Sequence, residues 1–166
     1  GHSNEKADLI GLREEGGDLV IDVIEVKTHD ENVPYTINGD VVTGHAVDQV
    51  LATMHALAEV FGAADLTPLA KPRREVVREH LYTALLRDLD PQYIERWHAL
   101  LQDLFSGAIK VRLSGRIVHV QLASVATTQP FIKNSRAGVP IHINTLAATD
   151  VGLVLTTNKL VKEELP

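Results

Sequence analysis

The segment Glu25-Val26-Lys27 puts a carboxylate and an ammonium two residues apart. On a strand, side chains alternate between faces, so Glu25 and Lys27 point to the same side. Asp8 lies upstream, and the stretch from Ala7 to Thr28, ADLIGLREEGGDLVIDVIEVKT, reads as two apolar strands around an acidic-glycine turn. A hairpin closing at Glu14-Glu15-Gly16-Gly17 would return Asp8 to the side of Glu25. Two carboxylates at one sheet rim suit a hard cation such as Mg²⁺, with Mn²⁺ as the alternative. Such a cation keeps several waters for substrate phosphates. A lysine beside it could orient a water or meet developing phosphate charge. The competing reading is an exposed ion pair on a sheet edge.

These residues need elements to hold them. Asp22 is an odd number of residues from Glu25, so a regular strand turns it to the opposite face. His29 to Gly44 is a loop region with turn signals at Val33-Pro34 and Asn38-Gly39. Its expected hairpin has Tyr35–Ile37 and Val41–Thr43 as arms, and His29, Asp30 and Glu31 read as solvated loop charge. His45 to Phe61 follows the helical period, with Thr43 as candidate N-cap and Gly62 as stop. Gln49 lies in its first turns, on the border of the apolar stripe. After a linker from Ala63 to Ala70, Pro72 to Leu89 reads as a second helix. Lys71, Arg73, Arg74, Arg78 and His80 make its first half basic, either a phosphate-backbone contact or a solvated helix face. Asp90-Pro91 caps a third helix, PQYIERWHALLQDLF, completing a helical hairpin over 71–106. The stretch 108–157 reads as β-rich. A hairpin from Ile109 to Leu122 turns at Ser114-Gly115 and carries Lys110, Arg112, Arg116 and His119 as a second basic surface. A polar loop from Ala123 to Gly138 and strands at Val139–Asn144 and Val151–Thr157 follow.

A chain of 166 residues is long enough for one domain with a core. The net charge of −6 excludes a nonspecific nucleic-acid sponge, so an anionic polymer would need a local basic face or a metal. The absence of cysteine removes disulfides, thiol catalysis and Cys-type zinc sites. No stretch has the apolar length of a membrane span and no signal peptide is visible, which makes the cytoplasm the expected compartment. No Gly-rich phosphate loop supports an ATPase within the chain, and the eight histidines lack zinc-motif spacing.

Asp8 followed by Glu25-Val26-Lys27 resembles the D…(D/E)-x-K signature of the PD-(D/E)xK nuclease superfamily, over about Ala7 to Phe61. The resemblance implies an α/β domain, with α+β as the variant: a restriction-endonuclease-like mixed sheet flanked by helices. Residues 4–166 would form one domain with core 7–62, a helical-hairpin insertion and a β-rich C-terminal part. Asp8, Glu25 and the Val26 carbonyl would bind the metal, and Lys27 would be the catalytic lysine. Gln49 matches the glutamine that several branches place early in the following helix. The implied activity is Mg²⁺-dependent hydrolysis of DNA. Arg73, Arg74, Arg78, Lys110, Arg112 and Arg116 are the candidate contacts to the nucleic acid.

The superfamily usually has a helix before the first strand. Here Asn4, Glu5 and Lys6 follow Gly1-His2-Ser3, which reads as a tag remnant. A fragment of a larger DNA-processing, repair or restriction protein is the implied context, with an ATPase or helicase domain as partner and a homodimer compatible with it. The other reading is the same fold with a degenerate site, recruiting nucleic acid or a partner protein.

Overall fold

The acidic turn closes a two-residue hairpin between β1 (Leu9–Glu15) and β2 (Asp18–His29). Gly16 and Gly17 have φ of 61° and 85°, the positive values a primed hairpin turn requires at both central positions. In the computed structural model the described residues are 6–29, 33–61, 70–88, 90–122 and 128–149. The chain continues through β3 (Thr36–Asn38), β4 (Val41–Thr43), α1 (His45–Phe61), α2 (Ala70–Asp88), α3 (Pro91–Ser106), β5 (Val111–Gln121), β6 (Phe131–Ser135) and β7 (Pro140–Ala147). Among the described residues it is therefore a mixed α/β protein with three helices and one seven-stranded sheet, ordered β1-β2-β5-β7-β6-β4-β3. The pairs β3/β4 and β6/β7 are antiparallel, and β4/β6 and β5/β7 are parallel.

Two expectations need correction. Ser114-Gly115 is no turn: β5 runs straight through it, with Gly115 opposite Ile141 of β7. Gly115 has no positive φ, so nothing bends the chain there. The polar loop expected from 123 to 138 contains β6, whose pairing with β7 and β4 comes from outside its own sequence. Val151–Thr157, Asp30, Glu31 and Gly62 lie outside the described residues.

The chain divides into two compact units, and β1, β2, β5 and α1 each pass from one to the other. The first unit takes in 1–10, 23–53 and 114–166. Val23, Val42, Val47, Val50, Ile117, Ile141 and Ile143 are buried in it. Burial of each such side chain contributes about 1.5–3 kcal/mol. The register sets Ile117 beside Ile143 and Phe131 beside the same residue, which gives one apolar row across β5, β7 and β6. Gly44 opens α1 with φ 128°, and its carbonyl accepts the Asp48 N–H at 3.1 Å. A Cβ there would stand 3.1 Å from the Pro34 carbonyl oxygen and the Tyr35 Cα, so the loop packs directly on this backbone.

The second unit takes in 11–22 and 54–113. Its core is Leu19, Leu101 and Leu104, with Phe61, Leu81, Tyr82, Trp97 and Phe105 packed against them. Asp90 caps α3 as its sequence position predicts, its carboxylate accepting the Gln92 N–H at 3.1 Å, and Gly107 ends it in the left-handed conformation. No helix among the described residues is long and apolar enough to cross a membrane.

Candidate active site

The hairpin does return Asp8 to the Glu25 strand. The Val26 N–H donates to Asp8 Oδ2 at 2.9 Å, which places the aspartate against the backbone between Glu25 and Lys27. Asp8 itself is exposed, and Val26 is half-buried. A second bond fixes the residue before it. The Ala7 N–H donates to Thr53 Oγ1 at 2.8 Å, and the Thr53 hydroxyl donates to the Gln49 carbonyl at 3.0 Å. A helical threonine commonly bonds the carbonyl four residues back. Here the same oxygen also receives the start of β1.

Glu25 is wholly buried, at 0% exposure. That excludes the exposed-edge reading of the Glu25–Lys27 pair. Neither carboxylate oxygen accepts an aligned hydrogen bond from the described residues. Its charge is answered by Lys27, whose Nζ stands 2.5 Å from Oε1 while a quarter of the lysine side chain remains exposed. The contact is thus a charge pair without hydrogen-bond alignment. A buried carboxylate so held is costly unless something else draws on its oxygens. The donor set of Asp8 and Glu25 is all oxygen, which fits a hard divalent cation rather than a soft one. Among the described residues no group of three or more His, Asp or Glu side chains converges.

Gln49 is buried at 9% exposure rather than lying on the surface, and its amide Oε1 has no hydrogen-bond partner among the described residues. Asp22, also buried, takes a different arrangement from Glu25: its Oδ2 accepts from Arg13 Nε at 2.8 Å. That bond satisfies Oδ2 alone, and Oδ1 has no hydrogen-bond partner among the described residues. His119 is buried in β5, with the Tyr35 ring edge-on at 6.2 Å.

The basic candidates are largely engaged within the protein. Arg73 pairs with Glu59 at 3.0 Å, and Arg78 with Glu75 at 3.2 Å. The Arg74 guanidinium donates to the Phe105 carbonyl and lies 5.9 Å from the centre of that ring. Arg112 reaches Asp18 at 3.0 Å and Glu15 at 3.3 Å. Lys110 is exposed. Arg116 is half-buried in the first unit, beside His142 in the β5/β7 register, and no carboxylate among the described residues pairs with it. In the second unit, Arg78, Glu79, Tyr82, Gln102 and Phe105 line an open groove between α2 and α3, with both charge signs on its walls.

Thr53 is the residue that motif spacing missed. Its position four residues after Gln49 puts both on one turn of α1. The link to Ala7 spans 46 residues of sequence and leaves no local signal. No protein-family model, no characterised protein and no solved structure matches this chain.

Proposed function

We propose that this chain is a metal-dependent nuclease domain of the restriction-endonuclease-like kind that hydrolyses DNA phosphodiester bonds. The observation that carries the reading is Glu25. It is fully buried, paired with the Lys27 ammonium, lacks an aligned hydrogen bond among the described residues, and neighbours the backbone amide that Asp8 holds. Asp8 and Glu25, with the Val26 carbonyl, would hold Mg²⁺ or Mn²⁺. When bound, that ion supplies a lowered pKa for an attacking water and neutralises charge on the scissile phosphate. Lys27 keeps an ammonium at the buried carboxylate with part of its side chain open to solvent. From there it serves to orient the water or meet negative charge developing on the phosphate. Gln49 presents a buried amide oxygen from α1, suited to a donor on substrate or on water.

The test is cleavage of supercoiled plasmid and linear DNA with Mg²⁺ or Mn²⁺. Wild type is expected to cut, and Asp8→Ala and Glu25→Ala are expected to lose cleavage while keeping the far-UV circular dichroism of the parent. Equal cleavage by all three would refute the assignment. DNA binding without cleavage by wild type would favour the degenerate binding module instead.

A further inference from the structure

We propose that Thr53 is a positioning residue that sets Asp8 for metal binding from outside the metal's own ligands. The inference rests on the metal-carboxylate reading above. Asp8 precedes β1, and β1 is an edge strand of the sheet. An exposed strand end of this kind frays unless it is tied down. A metal ligand, in contrast, has to be held to within about 0.5 Å.

Two ties exist. One is the Val26 N–H on Asp8 Oδ2, at 2.9 Å. It uses the carboxylate itself, the group a cation would claim. The other is the Ala7 N–H on Thr53 Oγ1, at 2.8 Å. It acts on the backbone one residue away and leaves both aspartate oxygens for other work. A hydroxyl has one proton and two lone pairs. Thr53 gives its proton to the Gln49 carbonyl at 3.0 Å, which orients a lone pair for Ala7. Thr53 is 8% exposed, so water competes poorly for either bond. One turn of α1 thereby carries both Gln49 and the anchor of Asp8. All five residues, Ala7, Asp8, Val26, Gln49 and Thr53, belong to the first unit.

The experiment compares Thr53→Val, which keeps the shape and loses the hydroxyl, with Thr53→Ser, which keeps the hydroxyl. Exchange of the Val26 amide is followed by NMR in metal-free protein, because that N–H reports where Asp8 sits. Thr53→Val is expected to speed Val26 exchange by about fivefold or more, the weight of one hydrogen bond. It should also weaken Mn²⁺ binding by about 10- to 100-fold in calorimetry, as loss of an outer-shell partner does. Thr53→Ser should match wild type in both. Unchanged Val26 exchange in Thr53→Val, or equal loss in Val and Ser, overturns the proposal. If wild type binds no Mn²⁺, the metal reading falls, and the positioning of Asp8 is decided by Val26 exchange alone. Should Thr53→Val unfold, Ala7→Pro removes the amide donor at a strand start that tolerates proline, and the same exchange comparison applies.

Discussion

Replacing Lys27 by methionine strips its paired cation from a buried carboxylate. The magnitude follows from the geometry. The ammonium stands 2.5 Å from Glu25 Oε1, and even at about 4 Å opposite charges at an effective dielectric of about 20 attract by roughly 4 kcal/mol. Removal of one member of a buried pair costs about 3–5 kcal/mol, because the other charge is left uncompensated. Glu25 is 0% exposed, but the Lys27 side chain is 25% exposed, so water already reaches the ammonium end. The lower end of that range applies, about 3 kcal/mol. For a protein of this size it corresponds to a fall in Tm of about 6–12 °C.

The double variant Glu25→Met with Lys27→Met should regain most of that loss. Substituting a whole buried ion pair by apolar groups of similar volume is neutral or stabilising. Equilibrium urea unfolding and thermal melts of wild type, Lys27→Met and the double variant form the assay. Mg²⁺ at about a hundred times its Kd should restore roughly 2.7 kcal/mol to Lys27→Met if the carboxylates accept the ion. The reasoning fails if Lys27→Met lies within about 0.5 kcal/mol of wild type, the range of an ordinary surface change. It fails equally if the double variant is no more stable than the single one, since Glu25 would then not be the source of the cost.

Two further outcomes follow from the charges. Arg116→Glu should lower the slope of log DNA affinity against log salt by roughly 0.7–0.9 for each phosphate the protein no longer neutralises, whereas Arg73→Glu should alter it less because Arg73 is already paired with Glu59; a salt titration with unchanged slope for Arg116→Glu clears Arg116 of the role. The hydrogen bond from Arg13, reinforced by its charge and that of Arg112, holds the Glu15 carboxyl below the ordinary glutamate value. A depressed value means that this stabilisation is complete above the unfolded pKa of about 4.3 and is lost as pH falls through the lower folded value. Glu15→Gln should therefore melt below wild type at neutral pH, with the gap closing on acidification beneath about pH 4; parallel melting curves from neutral pH downward would contradict it.

The elements that were legible in the sequence are those whose signal is local. Gly16-Gly17 and Gly39 close hairpins because positive φ is cheap at glycine. The apolar period of 45–61 and the Asp90-Pro91 cap define α1 and α3. The failures are non-local. Ser114-Gly115 carries the residues of a turn, yet β7 pairs through it from Gly115 to Gln121 and keeps the backbone extended. FIKNS is too short and polar to read as a strand until β7 and β4 supply its partners. The carboxylates of the candidate site were legible because strand parity and hairpin closure are local rules. Burial of Glu25 and Gln49 was not, since it depends on what covers them. The basic residues were legible as types but not in their engagement. Arg74 turns inward to a carbonyl on Phe105, 31 residues away.

The two buried carboxylates of β2 make the case for a site from stability alone. Leu19, Val20, Ile21 and Val23 are all buried, so the strand is built of apolar residues wherever packing decides. Asp22 interrupts that run and is answered at Oδ2 by an aligned bond from Arg13, while its Oδ1 has no hydrogen-bond partner among the described residues. Glu25 interrupts it again with more complete burial and no aligned donor among the described residues. Folding would be served as well or better by an apolar residue at 25 and another at 27. On the proposed reading, that broken local rule is the mark of a residue kept for metal binding. The surrounding bonds point the same way. The Val26 amide is committed to Asp8, and Thr53 of α1 to Ala7, so the hairpin is secured at Ala7 and Asp8 as well as at its turn. On the proposed reading, a divalent cation would draw on the oxygens of both Asp8 and Glu25.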